Sequence, residues 1–471
     1  MKLTNIELEV LERIKPRREE YLKIENVYQA IRKIIEEVLK EHNVDAKVTL
    51  QGSIAHDTWL SGEHDLDIFV LFPLEWSVEE LKTRGFELLL ESAKRIGYYE
   101  VRYAEHPYVR VKYNDVEADL VPAFNVRSSD QIRTAVDRTP LHTMYLEKVL
   151  TDELRDHIRL LKQFFKGVGV YGAEVKTKGF SGYLCELLVV AHGGFHETLN
   201  SISQWRPPVF INTLGDHGEF AKIRNIIRKK YPDSKLIVPD PVDPLRNTAA
   251  AVSEHSLAKA IIASKCYINH PAIGYFFPKR LMRDIDPIET IRDENRCIIL
   301  VLFRRDFSNI PPDVLWGETY RVLDRLVKLL RNFDFNPIDW GAWSDEENNV
   351  VLAVEVETCH KPYPRLYTGP PYYAGHRVLD YIVKHVRRNS RGPWIRLDGV
   401  LLSMRERRYR DAASLIMERY MEFTVAPHFR GLKPMVLEPV DAMNIGLGED
   451  FWVWLKGFIV KRPVWMEYCT G

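Results

Sequence analysis

The sequence predicts a multidomain protein of mixed α/β and α+β class, with a mixed-sheet head, a helical central domain and a C-terminal α+β region. Three observations predict it. The chain has 471 residues, whereas a single hydrophobic core stops growing near about 250–300. β-rich runs alternate with helical periodicities in the first third and give way to helical spacing from Thr151. From Cys297 the order becomes strand, helix, strand, as in a small layered α+β domain. The boundaries fall near 148 and 272, dividing the chain into 1–148, 149–272 and 273–471.

In the head, Ile24, Val27, Ile31, Ile34, Ile35, Val38 and Leu39 recur at helical spacing, and Asn43 and Asp45 end the pattern. A strand opens at Ala46 and runs through Leu50. Gln51-Gly52-Ser53 breaks it, and a short helix is expected over Ile54 to Leu60. Asp65 to Phe72 is a β-rich run stopped by Pro73; residues 77–96 read as a helix. Tyr108–Tyr113 and Val116–Val121 form a hairpin around the turn dipeptide Asn114-Asp115. In the centre, Leu154, Ile158, Leu161, Phe164 and Phe165 mark one helix. Tyr183, Leu184, Leu187 and Leu188 mark another. The Pro-rich stretch Pro239 to Pro244 precedes a helix reaching about His270. The last third opens with a strand at 297–303, a helix at about 313–332 and a strand at Val350–Val356.

Apolar content of 45% and charged content of 28% are ordinary for a globular protein. The net charge is zero, which leaves room for a local basic patch. The cysteines Cys185, Cys266, Cys297, Cys359 and Cys469 form no Cys-x-x-Cys pair, so a zinc knuckle is not expected. Five is an odd number for a disulfide framework, and the expectation is reduced thiols in a cytoplasmic protein. Met1 to Asn26 mixes Lys/Arg with Glu and has no apolar core, so it does not read as a signal peptide. The longest apolar run, Cys297 to Phe303, falls far short of the roughly 18 residues of a membrane span.

Asp65 and Asp67 lie two apart on one predicted strand, so their side chains share a face. Asp119 sits on a second strand, Glu117-Ala118-Asp119-Leu120-Val121. If the strands are neighbours, three carboxylates converge, as a pair of Mg²⁺ ions roughly 3.5–4 Å apart requires. Massed without metal they would repel one another. Gly52-Ser53 stands where a strand turns into a helix, and such a turn offers free N–H groups to a phosphate. Alone, Asp-x-Asp usually marks a solvated strand end, and Gly-Ser before a helix is usually an N-cap. The ordered set of strand, Gly-Ser, helix, Asp-x-Asp strand and later strand Asp points to nucleotidyl transfer.

Longer strings sharpen this. Gly52-Ser53-Ile54-Ala55-His56-Asp57-Thr58-Trp59-Leu60 with Asp65-Leu66-Asp67-Ile68-Phe69 resembles the archaeal CCA-adding enzymes, the class I tRNA nucleotidyltransferases. So do residues 102–109, 116–122 and 135–142, then Tyr171-Gly172-Ala173-Glu174, residues 179–186, and Asp240-Pro241-Val242-Asp243 with Arg246-Asn247. The likeness is dense over about 45–275 and thin beyond. It implies a nucleotidyltransferase-type catalytic head that adds C, C and A to the 3′ end of tRNA from CTP and ATP. It implies two Mg²⁺ ions on Asp65, Asp67 and Asp119. It implies triphosphate and ribose contacts from Ser53, His142, Lys162 and Tyr171, and base recognition by Arg246. At His56 the family usually carries arginine; a histidine offers one donor and no permanent charge there. A homodimer is a further expectation of the resemblance. A poly(A) or oligoadenylate polymerase shares such a head. A non-catalytic RNA-binding protein on a degenerate version of it is disfavoured by the three carboxylates.

Taken without the resemblance, Lys162 reads as a snorkelling lysine in an apolar helix, Tyr171 as packing, His142 as a helix-start histidine and Arg246 as a surface charge. Residues 361–410 hold twelve Lys/Arg against Asp380, Asp398 and Glu406, a net of +9. Tyr363, Tyr367, Tyr372, Tyr373, Tyr381, Trp394 and Tyr409 interleave with them. This composition suits contacts to RNA phosphates, with aromatics to stack on bases.

Overall fold

The computed structural model describes residues 3–103, 107–215, 217–278, 286–388 and 391–470. It divides into two compact units: Met1–Arg280 with Pro463–Gly471, and Leu281–Arg462. Within the string 102–109, residues 104–106 lie outside the described residues.

The first unit opens with helices α1 (Asn5–Ile14) and α2 (Arg18–Glu41). Its sheet comprises β1 (Lys47–Gln51), β2 (Asp65–Phe72), β3 (Tyr98–Tyr103), β4 (Pro107–Tyr113) and β5 (Val116–Phe124), in the order β1-β2-β5-β4-β3. The β2–β5 pair is parallel and the others antiparallel, so the sheet is mixed. The expected hairpin forms: Asn114 and Asp115 have φ of 47° and 59°, and two positive-φ residues match the right-handed twist of the strands they join. β3, unread in the sequence, is an edge strand whose Tyr98 is exposed. It therefore has little apolar patterning to betray it.

Strand alternation then decides where the acids go. Leu66, Ile68, Val70 and Phe72 of β2 pack in one core with Ile31, Ile35 and Val38 of α2 and with Leu88 and Leu89 of the helix Phe86–Ile96. Asp65 and Asp67 alternate with them and share the other face with Phe69 and Leu71, which pack against Ala123 of β5. The helix expected over Ile54–Leu60 is instead a single turn, Gly52–Ala55. Asp57 interrupts it at φ 53°. The buried Arg159 accounts for this by donating to the Asp57 carbonyl at 2.7 Å and to its carboxylate.

The helical layer follows as α3 (Arg138–Val149), α4 (Asp152–Val168), α5 (Gly182–His192), α6 (Phe195–Gln204) and α7 (Glu254–Asn269). Phe164, Phe165, Phe180, Phe195, Tyr267, Tyr275 and Phe276 form its aromatic centre, and Trp465 is buried in the same core. The Pro-rich stretch is a small hairpin, β6 (Pro239–Asp240) and β7 (Asp243–Asn247).

In the second unit the run Cys297–Arg304 is the strand β8. It is apolar from Cys297 to Phe303 because both faces are covered. Ile299, Val301 and Phe303 pack on the helix Pro312–Asn332, while Ile298, Leu300 and Leu302 pack on the helix Glu449–Val460. The basic stretch folds into a separate three-stranded sheet (Pro364–Pro371, Val400–Glu406, Arg391–Ile395) with the helix His376–Arg387.

The reduced-thiol expectation is corrected. Cys266 bonds to Cys469 and Cys297 to Cys359, leaving Cys185 buried and free. The pairs are 203 and 62 residues apart. No local spacing motif signals such distant pairs, and an odd cysteine count accommodates two bridges and one thiol. A thiol reagent added to denatured, unreduced protein is expected to label one cysteine, and five after reduction. Reduction should also lower stability by about 2–5 kcal/mol, since long loops lose the most entropy when crosslinked. Five reactive thiols before reduction would contradict both bridges.

Candidate active site

The parallel register of β2 and β5 sets Asp65 beside Glu117 and Asp67 beside Asp119. Asp67 is crowded: an added Cβ on Gly52, whose φ is +70°, would sit 2.0 Å from Asp67 Oδ2. Only glycine allows the turn and the carboxylate to approach so closely. The Asp67 carboxyl is pushed up to about 7, first by burial, then by Asp119 and by Asp65.

Asp119 is held elsewhere. Arg110, directly opposite on β4, donates from Nε to Oδ1 at 2.6 Å and from Nη2 to Oδ2 at 2.8 Å. Among the described residues no three His, Cys, Asp or Glu side chains are gathered closely enough to hold a metal. The backbone thus aligns the three acids while the Asp119 carboxylate pairs with Arg110. The donor set still fits a divalent cation. It offers hard carboxylate oxygens, and Asp119 and Asp65 add to the burial that raises Asp67, a repulsion that a cation would relieve. Arg110 was within reach of the sequence, because the Asn114-Asp115 turn fixes its pairing with Asp119.

The predicted nucleotide contacts fall into two groups. The first surrounds Glu186, on the buried face of α5. His56 Nδ1 lies 3.2 Å from Glu186 Oε2, and His56 Nε2 lies 2.9 Å from Thr143 Oγ1. Lys162 Nζ donates to Thr58 O at 3.1 Å, Thr58 Oγ1 at 2.8 Å and Glu186 Oε1 at 3.2 Å; Thr58 Oγ1 donates to Glu186 as well. His56 is 6% exposed and Lys162 1%. Both ring nitrogens and all three ammonium protons are engaged inside the protein, so neither side chain presents a free donor to a phosphate in this structure. Burial alone would push the Glu186 carboxyl up, but Lys162 and His56 outweigh it and hold it at about 2.

Tyr171 stands beside this group. A Cβ on Gly182 would meet the Tyr171 hydroxyl at 3.1 Å and Lys162 Nζ at 3.6 Å, so glycine there lets both reach the first turn of α5. Ser53 sits partly exposed in the turn Gly52–Ala55.

The second group surrounds Asp240. His142 Nε2 lies 2.9 Å from Asp240 Oδ2, and Arg246 Nη1 donates to the same oxygen at 2.8 Å. His142 stacks on Tyr183 at 3.9 Å between ring centroids. Sequence reasoning named His142 and Arg246 but not their partner Asp240, and His56 and Lys162 but not their partner Glu186. The signal for Glu186 was a carboxylate inside the apolar run Leu184-Cys185-Glu186-Leu187-Leu188, which needs a buried cation.

Three family models match this chain: a nucleotidyltransferase domain over residues 31–142, the second domain of tRNA nucleotidyltransferase over 156–277, and the C-terminal domain of the CCA-adding enzyme over 294–428. The chain is 38% identical to the CCA-adding enzyme of Sulfurisphaera tokodaii, aligned over 98% of this chain and 100% of that one. The chain belongs to the CCA-adding enzyme family. It is 34% identical to the Sulfolobus acidocaldarius CCA-adding enzyme, again over 98% and 100% of the two chains. It is 37% identical to that of Saccharolobus solfataricus, over 87% and 90%. CCA-adding enzymes act on tRNA with nucleoside triphosphates and a divalent metal. No described helix is long and apolar enough to cross a membrane.

Replacing Glu186 by alanine is expected to cost about 3–5 kcal/mol in urea unfolding, because it leaves the Lys162 ammonium buried without a counter-charge. The Lys162→Met/Glu186→Leu pair should recover most of that loss. A double variant as unstable as Glu186→Ala would mean that the charge pair is not the cause.

Proposed function

We propose that this chain extends tRNA to a 3′-CCA end without a template, from CTP and ATP, releasing pyrophosphate. The observation that carries the reading is the alignment of Asp65, Asp67 and Asp119 across β2 and β5, in a chain matched to CCA-adding enzymes along nearly its whole length. In this reading 1–148 is the catalytic head, 149–272 completes the nucleotide site and 273–471 binds tRNA; the enzyme is a cytoplasmic homodimer.

The three aspartates hold two Mg²⁺ ions, which when bound make the tRNA 3′-hydroxyl a better nucleophile and offset charge on the triphosphate. The hydroxyl oxygen bonds to the α-phosphorus and loses its proton to water as the bond to the bridging oxygen breaks, and pyrophosphate leaves. Arg110 releases Asp119 when the site is loaded. Ser53, Tyr171, Lys162 and His142 contact triphosphate and ribose, Lys162 by giving up a bond to Thr58. His56 acts through Glu186 and Thr143, holding the loop in place of an arginine.

Arg246 reads the base. Cytosine N3 and adenine N1 accept hydrogen bonds, whereas uracil N3 and guanine N1 carry hydrogens. A guanidinium can only donate. It therefore suits C and A and sets donor against donor for U and G.

The test is tRNA ending before CCA, incubated with labelled CTP, ATP and Mg²⁺. Three nucleotides should be added, in the order C, C, A. A long tail from ATP alone would instead favour a poly(A) polymerase. Asp119→Ala should abolish incorporation while tRNA binding persists; incorporation at the native rate would remove Asp119 from the metal site.

The basic surface makes a separate prediction. Some cations of the stretch are paired internally: Arg365 and Arg407 with Asp334, Arg396 with Asp398. Arg387, Arg388 and Arg391 are exposed. Changing these three to alanine should weaken tRNA binding and reduce the slope of log K against log salt by about one per lost phosphate contact. An unchanged affinity and slope would make this surface merely solvated.

A further inference from the structure

Asp240 is fully buried, yet its carboxylate accepts from four donors on three elements. Oδ2 takes His142 Nε2 from α3 at 2.9 Å and Arg246 Nη1 from β7 at 2.8 Å. Oδ1 takes the Tyr183 hydroxyl from α5 at 3.1 Å and the Val242 N–H of its own hairpin at 3.1 Å. Burial alone would push the carboxyl up, but the His142, Val242 and Arg246 contacts outweigh it and hold it below the usual range. Arg138 on α3 pairs with Asp243 of the hairpin at 2.8 Å, so the hairpin is pinned to α3 twice.

Arg246 is the partner with freedom to lose. Its side chain is 38% exposed and would sample many rotamers if unanchored. One Nη is fixed by Asp240. That leaves the rest of the partly exposed guanidinium as an edge carrying donors only. An unanchored arginine could swing aside for a uracil or guanine and avoid the donor–donor conflict. Discrimination requires that it cannot.

We propose that Asp240 is a positioning residue for base choice: it locks the Arg246 guanidinium so that CTP and ATP are accepted and UTP and GTP refused, and it couples that lock to His142. The proposal rests on the reading of Arg246 as the base contact. It also requires a carboxylate rather than an amide. Asparagine offers one acceptor oxygen, so its NH₂ would confront either the Arg246 and His142 pair or the Tyr183 and Val242 pair.

The test is kcat/KM for CTP and UTP on matched tRNA ends, in wild type, Arg246→Ala, Asp240→Asn and the double variant. Each single variant should lower the CTP-over-UTP ratio by roughly tenfold or more, the size of effect of one misdirected hydrogen bond. The double variant should be no less selective than Arg246→Ala, because Asp240 acts through Arg246. General weakening of the fold would lower both rates together and leave the ratio intact. A native ratio in Asp240→Asn beside a collapsed ratio in Arg246→Ala overturns this proposal and leaves the reading of Arg246 standing. A native ratio in Arg246→Ala overturns both. Should Asp240→Asn fail to fold, Tyr183→Phe loosens the same carboxylate while keeping the ring stacked on His142. Its ratio is expected to fall about two- to threefold, within the value of one neutral hydrogen bond, and an unchanged ratio overturns the proposal.

Discussion

The geometry of the site depends on a charge that cannot be solvated. Glu186 is carried by α5 into the interior, where an ionised carboxylate is tolerable only with a cation and several hydrogen-bond donors around it. Lys162 from α4 supplies the cation. His56 and Thr58, from the loop after the first turn, supply donors. Because each partner satisfies the others, the loop that begins at Gly52 has one place to lie. Gly52 touches Asp67, so the same constraint sets the floor beneath the aspartates.

Asp240 repeats this arrangement in the second group of contacts. Both acids are buried, both join the helical layer to neighbouring segments, and both bind side chains that the family resemblance assigns to the nucleotide. Buried anions thus position the side chains that, in the proposed reading, serve the nucleotide. A cation fixed beforehand loses little entropy when the triphosphate arrives. Arg110 likewise compensates Asp119, and in the proposed reading a metal ion would compete with it.

The sequence made legible what depends on local periodicity. The alternation in Asp65–Phe72 put two acids on one face, and Asn114-Asp115 announced its hairpin. The all-apolar run at Cys297 showed a strand, though not that helices cover it on both sides. What stayed hidden depends on distance along the chain. Glu186 meets His56 across 130 residues, and His142 meets Asp240 across 98; no periodicity encodes such pairs. The disulfides were unreadable for the same reason. His56 is the instructive residue. The motif placed it at the site, but both its ring nitrogens turn inward, a matter of packing that a motif does not contain.

The division of the first unit has a consequence for how the molecule is made. Residues Pro463–Gly471 belong to the same compact body as Met1–Arg280, and Trp465 is buried in its aromatic core. During synthesis that core must wait for a piece still unmade while the whole intervening unit is translated. At about 5–20 residues per second the delay is on the order of ten to forty seconds. For that interval the slot for Trp465 is open and Cys266 has no partner. The nascent chain spends it with an apolar groove exposed, and the second unit can complete its own fold before the first is closed.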